Sequence, residues 1–144
     1  MPADDLYYTQ FVNALTKDGW SITDDPLYLP MPTRKLYVDI GAEKLLFAER
    51  QQKKIAVEIK SFIGVSDLVA LYQAVGQYTL YKLALEKLQP DRVLYLAVTD
   101  LVFTKIFQLD IGSVLIENNS LSMVTFNVDS EEIVEWLHTN QTET

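Results

Sequence analysis

The stretch KLYVDIGAEKLLFAERQQKKIAVEIK, residues 35–60, decides the fold. Residues 35–40 alternate and are rich in β-formers, which predicts a strand. Residues 45–50 and 54–60 are two runs joined by the polar Gln51-Gln52-Lys53, and they predict a β-hairpin. A short helix opening near Glu43 is the alternative for the first arm. Upstream, Tyr7, Phe11, Ala14 and Leu15 recur at helical spacing, so residues 5–18 predict an amphipathic helix stopped by Gly19. Residues 20–23 suit a short strand. Residues 24–34, with Pro26, Pro30 and Pro32, suit an irregular loop.

Downstream, Ser66 can cap a helix that runs to about Lys87 and ends before Pro90. Residues 92–98, RVLYLAV, form a continuous apolar run, as expected of a central strand covered on both faces. A helix at about 100–108 and strands near 113–117 and 121–126 follow. A final amphipathic helix is expected from Ser130, where Glu131 and Glu132 follow a capping residue. The order α-β-β-β-α-β-α-β-β-α predicts an α/β or α+β fold with a mixed sheet. At 144 residues the chain fits a single domain spanning 1–144.

Composition narrows the chemistry. There is no cysteine, which excludes disulfides, zinc–thiolate sites and cysteine nucleophiles. No apolar run reaches the roughly 18 residues of a bilayer span, and the acidic start MPADDLYYTQ lacks the apolar stretch of a signal peptide. A cytoplasmic location is the expectation. The formal net charge of −8 argues against generic nucleic-acid binding. Residues 1–60 carry 8 basic and 9 acidic groups, whereas residues 61–144 carry 4 and 11. The first half can therefore still present a local basic rim. His138, the only histidine, lies near the chain end, so a Ser-His-Asp triad is not expected.

Carboxylate chemistry remains. Period-2 alternation puts Ile55, Val57 and Ile59 on one strand face and Ala56, Glu58 and Lys60 on the other. Charges on an apolar strand are costly unless paired or bound to a metal, and Asp39 poses the same question in Leu36-Tyr37-Val38-Asp39-Ile40. Two carboxylates can hold a hard divalent cation, and a neighbouring ammonium can orient water and offset phosphate charge. A plain cross-strand salt bridge with a solvated Lys60 fits the same residues. On the next helix Gln73, Gln77 and Tyr81 recur at i, i+4 and i+8, close to one face. They are either an exposed stripe or, for Gln77 and Tyr81, the lining of a cleft. Leu68, Leu71, Tyr72, Val75, Tyr78, Leu80 and Leu83 put apolar groups most of the way round that helix, so a homodimer or a partner contact is expected. Treated as unpaired buried charges, the acids should be replaceable by alanine with little loss of stability.

Val38-Asp39, then Glu58-Ile59-Lys60, then Gln77 and Tyr81 resemble the PD-(D/E)xK restriction-endonuclease-like superfamily, whose αβββαβ core matches the order above over about residues 5–98. Val38 stands where a proline often precedes the first acid. Gln-x-x-x-Tyr at 77–81 is similar to the extra motif of the RecB-type nuclease branch. Nearly the whole chain, through MPADDLYY, NALTKDGW, DPL, VDIGAEKLLFAER, IAVEIKSF, QAVGQYTLY and PDRVLYLAV, is similar to the XisH family. Its members are called fdxN element excision controlling factors and come mainly from cyanobacteria.

The resemblance implies a DNA-processing role in the excision of a DNA element during heterocyst differentiation, beside a site-specific recombinase and an XisI-like partner. It implies Asp39 and Glu58 as ligands of Mg²⁺ or Mn²⁺, the Ile59 carbonyl as a third ligand, Lys60 as the catalytic lysine, and Gln77 and Tyr81 as cleft residues. Glu43 and Gln73 are secondary candidates. Two classes stay open: a metal-dependent nuclease, and a catalytically silent accessory protein that binds DNA, a recombinase or an XisI-like protein.

Overall fold

A computed structural model describes residues 6–46, 51–63 and 66–139. Helix α1 (Tyr8–Lys17) precedes five strands: β1 (Ser21–Asp24), β2 (Leu27–Pro30), β3 (Lys35–Val38), β4 (Ile40–Leu46) and β5 (Gln51–Ile59). The long helix α2 (Asp67–Leu88) leads to β6 (Arg92–Thr99), then to α3 (Asp100–Val102) and a π-helix (Phe103–Gln108). Helix α4 (Ser113–Glu117), β7 (Met123–Asn127) and β8 (Glu132–Leu137) complete the order. Six strands form one mixed sheet in the order β1-β4-β5-β6-β7-β8, while β2 and β3 pair separately. Strands β5, β6 and β7 are parallel neighbours; the other pairings are antiparallel.

The alternation read from residues 55–60 is the alternation of the core. Ile55, Val57 and Ile59 join Ile40, Tyr95 and Phe126 under α1, around Phe11, Leu15 and Trp20. Ala56, Leu94 and Leu96 face the opposite layer, built from Leu71, Ala74, Tyr78 and Leu85 of α2 and from Leu27, Leu29 and Val38 of the β2–β3 pair. The central strands are thus covered on both faces. Ser66 caps α2 as expected, its Oγ accepting from the Val69 N–H at 3.1 Å.

Five expectations are corrected. Gln51, Gln52 and Lys53 are strand residues of β5 rather than a turn, and β4 and β5 pair antiparallel up to Leu46 opposite Gln51; residues 47–50, part of the first arm of the expected hairpin, lie outside the described residues. The alternative helix near Glu43 is β4. Within the expected loop 24–34 lies β2; Pro30 is tolerated because this two-stranded ribbon leaves its N–H side unpaired, and it stands opposite Lys35 at the strand end. The run 113–117 is helical, and the segment after Ser130 is strand β8 rather than a final helix. There, Asn127 Oδ1 accepts from the Ser130 N–H, and Glu131 takes the left-handed conformation of a turn (φ 55°).

Candidate functional site

Asp39 sits where the chain leaves the small ribbon and enters the main sheet, in the single-residue bend between β3 and β4. That bend places it beside the C-terminal end of β5. The Ile59 N–H donates to Asp39 Oδ2 at 2.8 Å, and the Asp39 N–H donates to Glu58 Oε1 at 3.2 Å. The two acids, 19 residues apart in sequence, therefore hold one another's strand and lie side by side, both buried. Their exposures of 8% and 6% matter because a carboxylate so deep gains most from charge-stabilising neighbours.

Lys60 follows at once, half-buried, its backbone N–H donating to the Ala97 carbonyl at 3.0 Å, which fixes the chain against β6. Lys60 is in none of the four ion pairs seen among the described residues. Two residues on, Phe62 takes a left-handed backbone (φ 60°), costly for an aromatic residue, and its ring meets Phe107 edge-on at 6.0 Å. The segment leaving β5 after Lys60 is thus anchored under local strain.

Helix α2 closes the other side. Tyr81 is held above the ordinary phenol range first by burial and then by the negative charges of Glu58 and Asp39. The ring therefore lies within the field of both acids. One helical turn earlier, Gln77 Oε1 is buried and has no hydrogen-bond partner, an arrangement native cores avoid unless something supplies a donor. Gln73, a further turn back, is exposed. Glu43 stands in β4 opposite Lys54, four residues and about 13 Å of extended chain from Asp39. Neither is brought to the site.

Two residues that sequence reasoning missed lie nearby. Tyr8 of α1 donates its phenol to Asp25 Oδ2, and it is pushed up by burial, then by that hydrogen bond, then by the charges of Asp25 and, more weakly, Asp39. No spacing rule links a helix tyrosine to an acid 17 residues on, so nothing in the sequence marked the pair. His138 is exposed and follows β8; its Nδ1 shares a 2.6 Å hydrogen bond with the phenol oxygen of buried Tyr95, a residue of the layer beneath α1.

Among the described residues no group of three or more acidic or histidine side chains could cage a metal. The arrangement is a two-carboxylate site, which suits Mg²⁺ because that ion keeps several waters and takes one or two carboxylates. The buried acceptor of Gln77, one helical turn from Tyr81, is compatible with the same group, since a cation's water shell offers donors.

Comparison with known proteins bears on the whole chain. The profile of the XisH family, described as XisH protein, matches residues 1–134. A crystal structure of a fdxN element excision controlling factor protein from Anabaena variabilis is similar, with 41% identity, TM-score 0.81, and coverage of 92% of this chain and 98% of that one. A crystal structure of an XisH family protein from Nostoc punctiforme is also similar, with 38% identity, TM-score 0.82, and coverage of 93% and 100%. No curated protein matches the chain.

Proposed function

The chain belongs to the XisH family, and from that premise we propose that it is a DNA-processing factor of the PD-(D/E)xK type, hydrolysing phosphodiesters with Mg²⁺ or Mn²⁺ in the control of DNA-element excision. The observation that carries the reading is the mutual grip of Asp39 and Glu58 where β4 begins and β5 ends, with Lys60 next along the strand and Tyr81 of α2 within the field of both acids.

In this reading Asp39 and Glu58 would hold the cation, with the Ile59 carbonyl as a third ligand. Once bound, the cation supplies charge stabilisation at the scissile phosphate. Lys60 orients the attacking water and offsets negative charge as the phosphate oxygens load up. Gln77 Oε1 accepts a hydrogen bond from that water and so fixes its direction. Tyr81, kept protonated by burial and then by the charges of Glu58 and Asp39, donates a hydrogen bond from its phenol to a phosphate oxygen.

One observation favours the second class. A net charge of −8 is a poor match for a polyanion, and 11 of the 20 acids fall after residue 60. An accessory factor docking on a recombinase or an XisI-like protein accommodates this, as does a nuclease whose basic surface comes partly from that partner. Incubating the purified protein, with and without an XisI-like companion, with plasmid and branched DNA distinguishes the classes. Nicking in Mg²⁺ or Mn²⁺ that EDTA abolishes is expected. Intact DNA under all conditions contradicts the nuclease reading.

A further inference from the structure

Residues 26–38 hold no acidic side chain and two basic ones, Arg34 and Lys35, in a chain with 20 acids. They fold as the β2–β3 ribbon, whose inner face (Leu27, Leu29, Leu36, Val38) is committed to the core under α2. The outer face is not. Tyr28 and Tyr37 are direct cross-strand partners there, rings 5.6 Å apart and tilted by 40°. Tyr28 remains 44% exposed and Tyr37 is half-buried. The next pair toward the turn is Pro30 and Lys35, both exposed, and exposed Arg34 follows, its carbonyl accepting from the Met31 N–H. The other end of β3 runs directly into Asp39.

We propose that this outer face is a track for a single strand of nucleic acid, with Tyr28 and Tyr37 stacking bases and Arg34 and Lys35 meeting phosphates on the approach to Asp39. The proposal rests on the hydrolytic reading of the Asp39–Glu58 site for its purpose, but not for its test. Its ground is local charge complementarity: in this acidic chain the segment 26–38, between Asp25 and Asp39, carries two cations and no carboxylate. Exposed aromatic faces between such cations are how proteins hold single strands without reading sequence. A duplex keeps its bases stacked inside and cannot use Tyr28 and Tyr37 in this way.

The test is fluorescence anisotropy in EDTA, which separates binding from hydrolysis. The probes are a labelled oligothymidylate of about 20 nucleotides and a duplex of equal length. The wild type is expected to prefer the single strand. Tyr28→Ala should weaken that binding roughly 5- to 100-fold while leaving duplex binding nearly unchanged. The double variant Arg34→Ala/Lys35→Ala should make the salt dependence shallower by about 1.4 in log–log slope, the share of two phosphate contacts on a single strand. All three side chains are solvent-exposed, so folding, checked by circular dichroism, is not at stake.

Wild type that binds neither probe, or variants that bind as it does, overturns the track. Equal affinity for single strand and duplex, with no effect of Tyr28→Ala, also overturns it. Cleavage assayed in parallel keeps the two ideas apart. Binding as expected without any hydrolysis leaves the track standing and removes the nuclease. Hydrolysis with unaltered binding in the variants does the reverse.

Discussion

Asp39 and Glu58 have a structural role, because each accepts a backbone N–H from the neighbourhood of the other. The sequence shows two acids on apolar strands and suggests charges whose removal costs nothing. The hydrogen bonds reverse that expectation. Asp39→Ala leaves the buried Ile59 N–H without its acceptor and should lose about 1–3 kcal/mol. Asp39→Asn keeps an acceptor oxygen in place and should lose clearly less. Urea unfolding of the two variants checks this, and equal stability would contradict it. Gln77 makes the opposite case. Its buried, unpartnered Oε1 lowers stability, so Gln77→Met should gain up to about 1 kcal/mol and yet cut DNA cleavage. A variant that loses stability and cleaves normally would reduce Gln77 to packing.

At the scale of elements, what was legible depended on whether periodicity survived. Residues 55–60 gave the two core layers because β5 is regular over its length. Strand β8 was misread for a local reason. The β7–β8 register shifts between Thr125 and Phe126, so Val134 is skipped in the pairing. That bulge breaks the period of two and leaves Ile133, Trp136 and Leu137 as the inward groups, spaced as on a helix. Behind a Ser-Glu-Glu start, they imitate one. The run 113–117 failed for the converse reason. Ser-Val-Leu-Ile-Glu is too short for its period to tell strand from helix, and only the packing of Leu115 and Ile116 on the α2 layer settles it. The bend at Asp39 was invisible too, since a strand prediction over 35–40 runs straight through the residue that joins two sheets.

The same region yields an element-scale prediction. A Cβ on Gly112 would lie 2.6 Å from the Ile106 carbonyl oxygen and 3.0 Å from the Phe107 ring. Its φ of −60° suits any residue, so the obstacle is purely steric. Gly112→Ala should push α4 off the π-helix, with a cost of about 1–3 kcal/mol. A thermal melt within error of the wild type would contradict this packing account.

Over the whole molecule, charge is distributed unevenly along the chain. The acid excess lies after residue 60, the acid-free ribbon lies before it, and α2 leaves Tyr72, Leu80 and Leu83 more than half exposed. No helix among the described residues is long and apolar enough to cross a membrane. A homodimer through α2 is the proposed assembly. Sedimentation should give a dimer at micromolar concentration and a monomer for Leu80→Glu/Leu83→Glu; a monomeric wild type would contradict it.

The central claim, that Asp39, Glu58 and Lys60 form a metal-dependent hydrolytic site, is tested most directly by measuring Mn²⁺ binding and DNA cleavage together in three variants. Lys60→Met removes no ligand, so it should bind Mn²⁺ like the wild type while cleaving on the order of 10²-fold more slowly, the loss expected for one preorganised charge. Asp39→Asn and Glu58→Gln should lose Mn²⁺ and cleavage in step. Wild-type protein that takes up no Mn²⁺ at millimolar concentration, or three variants that still support excision in full, would contradict the account.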